Sequence, residues 1–157
     1  LVGSEMCIRD SSKSRFLRQW ADFDRNLRNI SAAVVARVTG RSAEQSVVGG
    51  DETSQQLKRS SAADFGLRGD VPYLEAVIAA VNDETNLVEK ERKIDVIRWN
   101  QAEELSTFDY FNINALLAYL VKVNIVARWT RLDETQGREM LRRLMTSLDG
   151  RDLINKQ

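Results

Sequence analysis

Few side chains in this chain have the type and spacing that chemistry needs. Asp22 and Asp24 come nearest to a paired carboxylate. Residues two apart on a helix do not face each other, so the two cannot share a proton. Glu103-Glu104 sits beside an expected helix end and reads as solvated. Trp20, Trp99 and Trp129 could stack a nucleotide base, but they fall at helical spacing among other apolar residues, which is the pattern of core packing. Arg37, Arg41, Lys58, Arg59 and Arg68 could gather around the loops as an anion site; the plainer reading is charge that keeps the chain in solution. An unrecognised enzyme using the Arg/Asp loop region, Asp64 to Asp70, is the remaining catalytic alternative, and it would need a deep pocket with converging charged groups. The 157 residues include no histidine, which removes the commonest general base and the commonest zinc ligand together. There is no phosphate-binding GxxxxGK[ST] loop, no GxGxxG and no CxxC pair. The expectation is a chain that is not an enzyme and carries no cofactor, metal or catalytic residue.

The totals narrow the remaining classes. The chain has 23 basic and 23 acidic residues, so its formal net charge is zero. A nucleic-acid binder needs a basic excess for its electrostatic attraction, so no nucleic-acid partner is expected. The same balance argues against an anionic membrane surface as the main partner. The longest apolar run, Ala115 to Ala127, is broken by Lys122 and Asn124 and falls short of a bilayer span. A single cysteine excludes an internal disulfide framework and points to a reducing compartment. That cysteine, Cys7, lies in the opening LVGSEMCIRDS, which lacks periodicity and resembles translated sequencing-adapter DNA. Residues 1–11 are therefore set aside as non-native. Residues 12–150 are read as a helical domain, the C-terminal fragment of a longer protein, and 151–157 as a loose tail.

The apolar periodicity defines the elements that must position everything else. Phe16, Trp20, Phe23, Leu27, Ile30, Val34 and Val38 make one helix face, closed by Gly40. Asn26 and Asn29 lie inside that helix, where Asn is a poor helix former, so both should answer to contacts. Asp51 is expected to cap a short helix to about Arg59. Ser60 to Asp70 is irregular, with Phe65 and Leu67 as apolar anchors. Asp70 before Val71-Pro72 reads as a helix start, leading to Leu74, Val77, Ile78 and Val81 and ending near Asn82. A further helix is expected from about Glu84 through Leu87, Ile94, Ile97 and Trp99. Its run Glu89 to Lys93 reads as a solvated face with local ion pairs. Ser106 with Asp109 resembles a capping box opening the most apolar helix, Phe108 to about Arg131. Its apolar residues cover so wide an arc that it is expected at the centre, with neighbours on several sides. Asp133 with Gln136 caps a last helix with a face of Met140, Leu141, Leu144, Met145 and Leu148, closed by Gly150. No alternating run appears; a strand could hide only at Ser46-Val47-Val48, and a lone short strand is marginal. The fold expected is all-α, an antiparallel bundle of five or six helices.

Polar residues on apolar helices carry the most information. Lys122, Asn124 and Arg128 lie on the expected central helix, and such groups must pair, snorkel or meet a partner. Asp95 and Asp109 are the internal partners expected for them, with an interface role as the alternative.

From Phe16 onward the chain resembles a bacterial domain-of-unknown-function family whose genes accompany those of the V-type ATPase. The resemblance rests on FDRNLRNISAAVVAR (Phe23 to Arg37), SAADFGL (Ser61 to Leu67), VEKERKIDVIRWN (Val88 to Asn100) and TFDYFNINALLAYLVKVNIVARWTRLD (Thr107 to Asp133). More distantly it is similar to the socket component of the V/A-type rotary ATPases, lettered C in the prokaryotic enzymes and d in the eukaryotic one. That component is all-helical and sits between rotor shaft and membrane ring. The shared traits are Asn26, Asn29 and Arg37 on the first helix and the late AYLVKVNIVAR helix. The socket family has acidic residues where this chain has Val123 and Asn124. The resemblance implies a cytoplasmic, non-catalytic adapter, held at the inner membrane through the ATPase, with the central shaft and membrane ring as partners. A transient assembly or regulatory factor of the same machine is the alternative. The residues this implies as interface contacts or internal struts are Asn26, Asn29, Arg37, Asp64, Arg92, Lys93, Asp95, Trp99, Asp109, Lys122 and Arg128.

Overall fold

In a computed structural model of the chain, residues 14–83, 86–109, 111–132, 135, 137–139 and 142 are described. Five α-helices and one short 3-10 turn form an all-helical bundle, with no strand among the described residues. Contacts divide the chain into two compact units, Leu1–Lys122 and Val123–Gln157. The expected last helix, with its Asp133/Gln136 cap, its face from Met140 to Leu148 and the tail, falls almost wholly outside the described residues, as does the segment bearing Cys7.

Helix α1 (Arg15–Val38) organises the first unit. Its start is set by Ser14, whose hydroxyl accepts the Leu17 N–H at 3.4 Å. Most of its expected face is buried: Phe16, Phe23, Leu27, Ile30 and Val34 reach the interior and Trp20 is half-buried, but Val38, in the last turn, is exposed. The helix stops at Gly40 as the sequence predicts. Gly40 takes a φ of 66°, its N–H bonds Arg37 O at 3.2 Å, and the Arg41 N–H bonds Ala36 O at 2.8 Å. That pair of reversed bonds is the Schellman arrangement, and the left-handed residue in it favours glycine. A 3-10 turn (Ala43–Gln45) and an extended stretch then lead to α2 (Glu52–Arg59), which starts after Asp51 as expected, although the Asp51 carboxylate accepts from the Ser54 hydroxyl and makes no capping bond to the backbone.

Phe65 and Leu67 are buried anchors of the loop after α2, also as expected. Phe65 and Gly66 both have positive φ, 55° and 69°. The positive φ of Gly66 calls for glycine there; the Gln56 side-chain end that a Cβ would meet at 2.7 Å could move aside.

Three expected boundaries are corrected. Helix α3 (Leu74–Asn82) does not begin at Asp70. Val71 to Leu74 instead form a turn closed by Leu74 N–H to Val71 O at 3.1 Å. Pro72 is its second residue, and Tyr73, at φ −91° and ψ 1°, is its third. Proline's fixed φ suits the second place of such a turn as well as it suits a first helical turn, so the dipeptide signal was ambiguous. Helix α4 (Leu87–Ser106) begins at Leu87 rather than Glu84, because Asn86 Oδ1 caps it by accepting the Glu89 N–H at 2.9 Å. Helix α5 (Ile113–Thr130) begins five residues after Phe108. Ser106 is not a cap but the last residue of α4, its hydroxyl donating back to Ala102 O at 2.9 Å. Phe108 turns to a φ of 70°, and Asn112 Oδ1 accepts from the Asn114 N–H at 2.8 Å.

The expectation of α5 as the central helix is also corrected. That place belongs to α1, which packs against α2, α3, α4 and the 3-10 turn. The main core joins Phe23, Leu27, Ile30 and Val34 to Leu57, Phe65, Leu67, Leu74, Val77 and Ile97. Phe23 stands edge-on to Tyr73 at 4.8 Å and tilted to Trp20 at 5.3 Å, so Trp20 belongs to the packing. A smaller cluster joins Phe16 of α1, Ala102 of α4 and Ala118 of α5. Ala118 is the one residue of α5 that is buried among those described. No helix among the described residues is long and apolar enough to cross a membrane.

In the second unit, the final turns of α5 run to Thr130. Arg128 is exposed there, its guanidinium 5.7 Å from the Trp129 ring centre. Farther on, Arg142 pairs with Glu139 at 3.1 Å.

Candidate interaction surface

The polar residues singled out in α1 hold the bundle together from inside. Asn29 is 4% exposed. Its Nδ2 donates to Val48 O at 2.7 Å and to Ser54 Oγ at 3.2 Å, and its Oδ1 accepts the Val48 N–H at 3.0 Å. One side-chain amide thus satisfies both backbone groups of Val48, as a neighbouring strand would. This is why Val47-Val48 can lie extended against a helix with no sheet around it. Ser54, fully buried, donates on to Asp51 Oδ1 at 2.7 Å. Asn26 hydrogen-bonds the Tyr73 hydroxyl, while its Oδ1 is buried without a protein partner. Burial pushes the Tyr73 hydroxyl above its ordinary pKa, against the opposing effects of Asn26 and Arg25.

Arg37 fastens the loop after α2. Its guanidinium donates to Ala62 O at 2.7 Å and to Ser60 O at 3.0 Å, and lies 3.9 Å from the Phe65 ring centre. A planar cation that both stacks and donates is what arginine does and lysine cannot. Asp64 acts within the same loop, Oδ1 accepting the Gly66 N–H at 3.0 Å.

On α4, Asp95 is 4% exposed and accepts from Arg98 Nη1 at 3.0 Å. Arg98 Nε in turn bonds Asp24 Oδ1 at 3.0 Å, and Asp24 also pairs with Arg28. Asp24 and Arg98 therefore tie α1 to α4; Asp24 drew notice in the sequence only beside Asp22, and Arg98 not at all. Lys93 pairs with Asp83. Arg92 is exposed. Lys122 does not reach Asp95 or Asp109, the partners expected for it. It donates to Glu103 Oε1 at 2.7 Å and lies 5.1 Å from the Trp99 ring centre. Glu103, read as merely solvated, is exposed but ion-paired, and the hydrogen bond and charge of Lys122 hold its carboxyl below the ordinary range.

Asp109 is the node of the segment between α4 and α5. It accepts from Asn114 Nδ2 at 2.9 Å, from Asn112 Nδ2 at 2.5 Å and from Arg15 Nη2 at 3.1 Å. The two asparagine amides, with Arg15 behind them, hold its carboxyl below its ordinary value. Asn112 and Arg15 were not singled out from the sequence. A short polar residue shortly before an apolar helix was the signal available for Asn112.

The surface these struts leave bare is apolar. Ile113, Leu116, Tyr119 and Leu120 share one face of α5 within the first unit, opposite the face that carries Ala118, and all are exposed. Leu116 shows 54% of its surface and Phe111, just before the helix, 103%. Phe108 is exposed as well. No charged side chain of α5 lies on this face. Lys122 is turned to Glu103 and Trp99 at its edge. Several large apolar side chains exposed together on one helix face mark a contact site more often than a free exterior.

The basic residues considered as an anion site do not gather. Arg37 serves its loop, Lys58 donates to Gly49 O at 2.9 Å, and Arg68 pairs with Glu75 at 2.9 Å. Asp22 pairs with Arg25 at 3.2 Å and Asp24 faces Arg28 and Arg98, so the two carboxylates serve different partners. Among the described residues no group of three or more His, Cys, Asp or Glu could hold a metal ion. The geometry is that of a helical bundle with internal polar struts and one uncharged apolar face. The chain belongs to the family described as protein of unknown function (DUF2764), whose pattern matches residues 8–151. No curated protein and no solved structure matches the chain.

Proposed function

We propose that this protein is a non-catalytic adapter of a V-type ATPase, a socket-like part of the central stalk that links the rotor shaft to the membrane ring. The observation that carries the reading is the face of α5 from Ile113 to Leu120. It is exposed, apolar and free of charge, on a helix that is predominantly apolar. Such a face suits shape-matched helix packing against another protein, where apolar burial supplies the attraction. The resemblance of Phe23 to Arg37 and of Thr107 to Asp133 to the socket family of the rotary ATPases names the machine. In this reading the protein performs no reaction, and it resides in the cytoplasm at the inner membrane through the complex. Asn29, Arg37, Asp95 and Lys122 act as struts that keep the bundle stiff, and Phe108, Phe111 and the α5 face make the contact.

Tagged full-length protein should co-purify with the intact ATPase in fixed proportion. Leu116→Glu with Leu120→Glu should sharply reduce that recovery while the variant keeps its helical circular dichroism. Clean absence of the wild-type protein from an active, intact complex overturns the proposal.

A further inference from the structure

No further inference is drawn: the strongest candidate, the apolar face of α5 with Phe108 and Phe111 beside its N-terminal end, belongs to the contact surface already described, and nothing in the structure shows what covers it.

Discussion

α1 and α5 are both long helices, yet they use their residues in opposite ways. α1 is the more polar of the two and supplies much of the core, from Phe16 to Val34. α5 is predominantly apolar, though less so than α3, and buries only Ala118 among its described residues. The difference lies in what faces each helix. α1 meets α2, α3, α4 and the 3-10 turn, where Asn29 finds the Val48 backbone and Asp24 the Arg98 guanidinium. α5 packs through a narrow strip around Ala118 and leaves the rest of its apolar arc outward. Apolar character expresses a demand for burial, but neighbouring elements decide whether the demand is met within the same chain.

The contrast breaks first at leucine. Leu27 is 1% exposed in the main core, so Leu27→Ala removes packed methyl groups and leaves a cavity. A loss of about 3 kcal/mol is expected in urea unfolding. Leu120→Ala, on the outward face of α5, should change stability by no more than about 0.5 kcal/mol. Equal costs at the two sites would show that the α5 face is covered in the free protein.

Asn29→Ala should rank next. It deprives the Val48 N–H and C=O of their partners in a buried setting, at a cost of about 2 kcal/mol in the same measurement. Asn29→Asp should recover only part of that, because a carboxylate can accept the Val48 N–H but cannot donate to its carbonyl.

These two sites also show what could be read from the sequence. Leu27 was legible because it lies mid-way along a run of apolar residues at helical spacing, most of which share one buried face. Asn29 was legible as an anomaly, an asparagine within a helix, but its partner lies nineteen residues away and no local pattern points to Val48. The Schellman stop at Gly40 and the anchors Phe65 and Leu67 depend on nearby residues and were found. The start of α3 was missed because Pro72 serves a turn and a helix start equally well. The start of α5 was missed because Ser106 and Asp109 match a capping box in type, while Phe108 adopts a positive φ that no side chain of its class advertises. The place of α5 was missed for a deeper reason. Periodicity gives the width of an apolar face and carries no information on which neighbours exist to cover it. Of the candidate site, the struts Asn29, Arg37 and Asp95 were named from their types, whereas Arg98, Arg15 and Asn112 became visible only through their partners.

Arg37→Ala should come third. Its hydrogen bonds to the loop are solvent-exposed, so the expected cost is about 1 kcal/mol. The sharper measurement is limited proteolysis. Cleavage within 60–67 should rise more than the global loss predicts, since Arg37 fastens that loop in particular. Arg37→Lys should protect the loop poorly, because an ammonium cannot both lie flat on Phe65 and bond two carbonyls. A loop unaffected by either change would mean that burial of Phe65 alone holds it.

The smallest effect is expected at Asp109, and pH is the way to see it. Its carboxyl sits below the ordinary value in the folded chain because Asn114, Asn112 and Arg15 favour the ionised form. In the unfolded chain it titrates near the usual aspartate value of about 3.9. Its contribution is therefore fully present above that value and fades as pH falls through the lower folded one, where both states carry the proton. The urea midpoints of wild type and Asp109→Ala should differ at pH 7 and draw together as the solution is acidified below the unfolded value. Glu103 follows the same sign through Lys122, so Glu103→Gln serves as a parallel case on α4. The two are distinguished by where they act. Loss of Asp109 should free the segment that sets Phe108 and Phe111, raising proteolysis around 107–112, while loss of the Glu103 pair should leave that segment as it was. A midpoint difference at Asp109 that stays constant with pH would mean its carboxylate contributes nothing as a charge. The placing of the two phenylalanines beside α5 would then rest on Asn112 and backbone bonds alone.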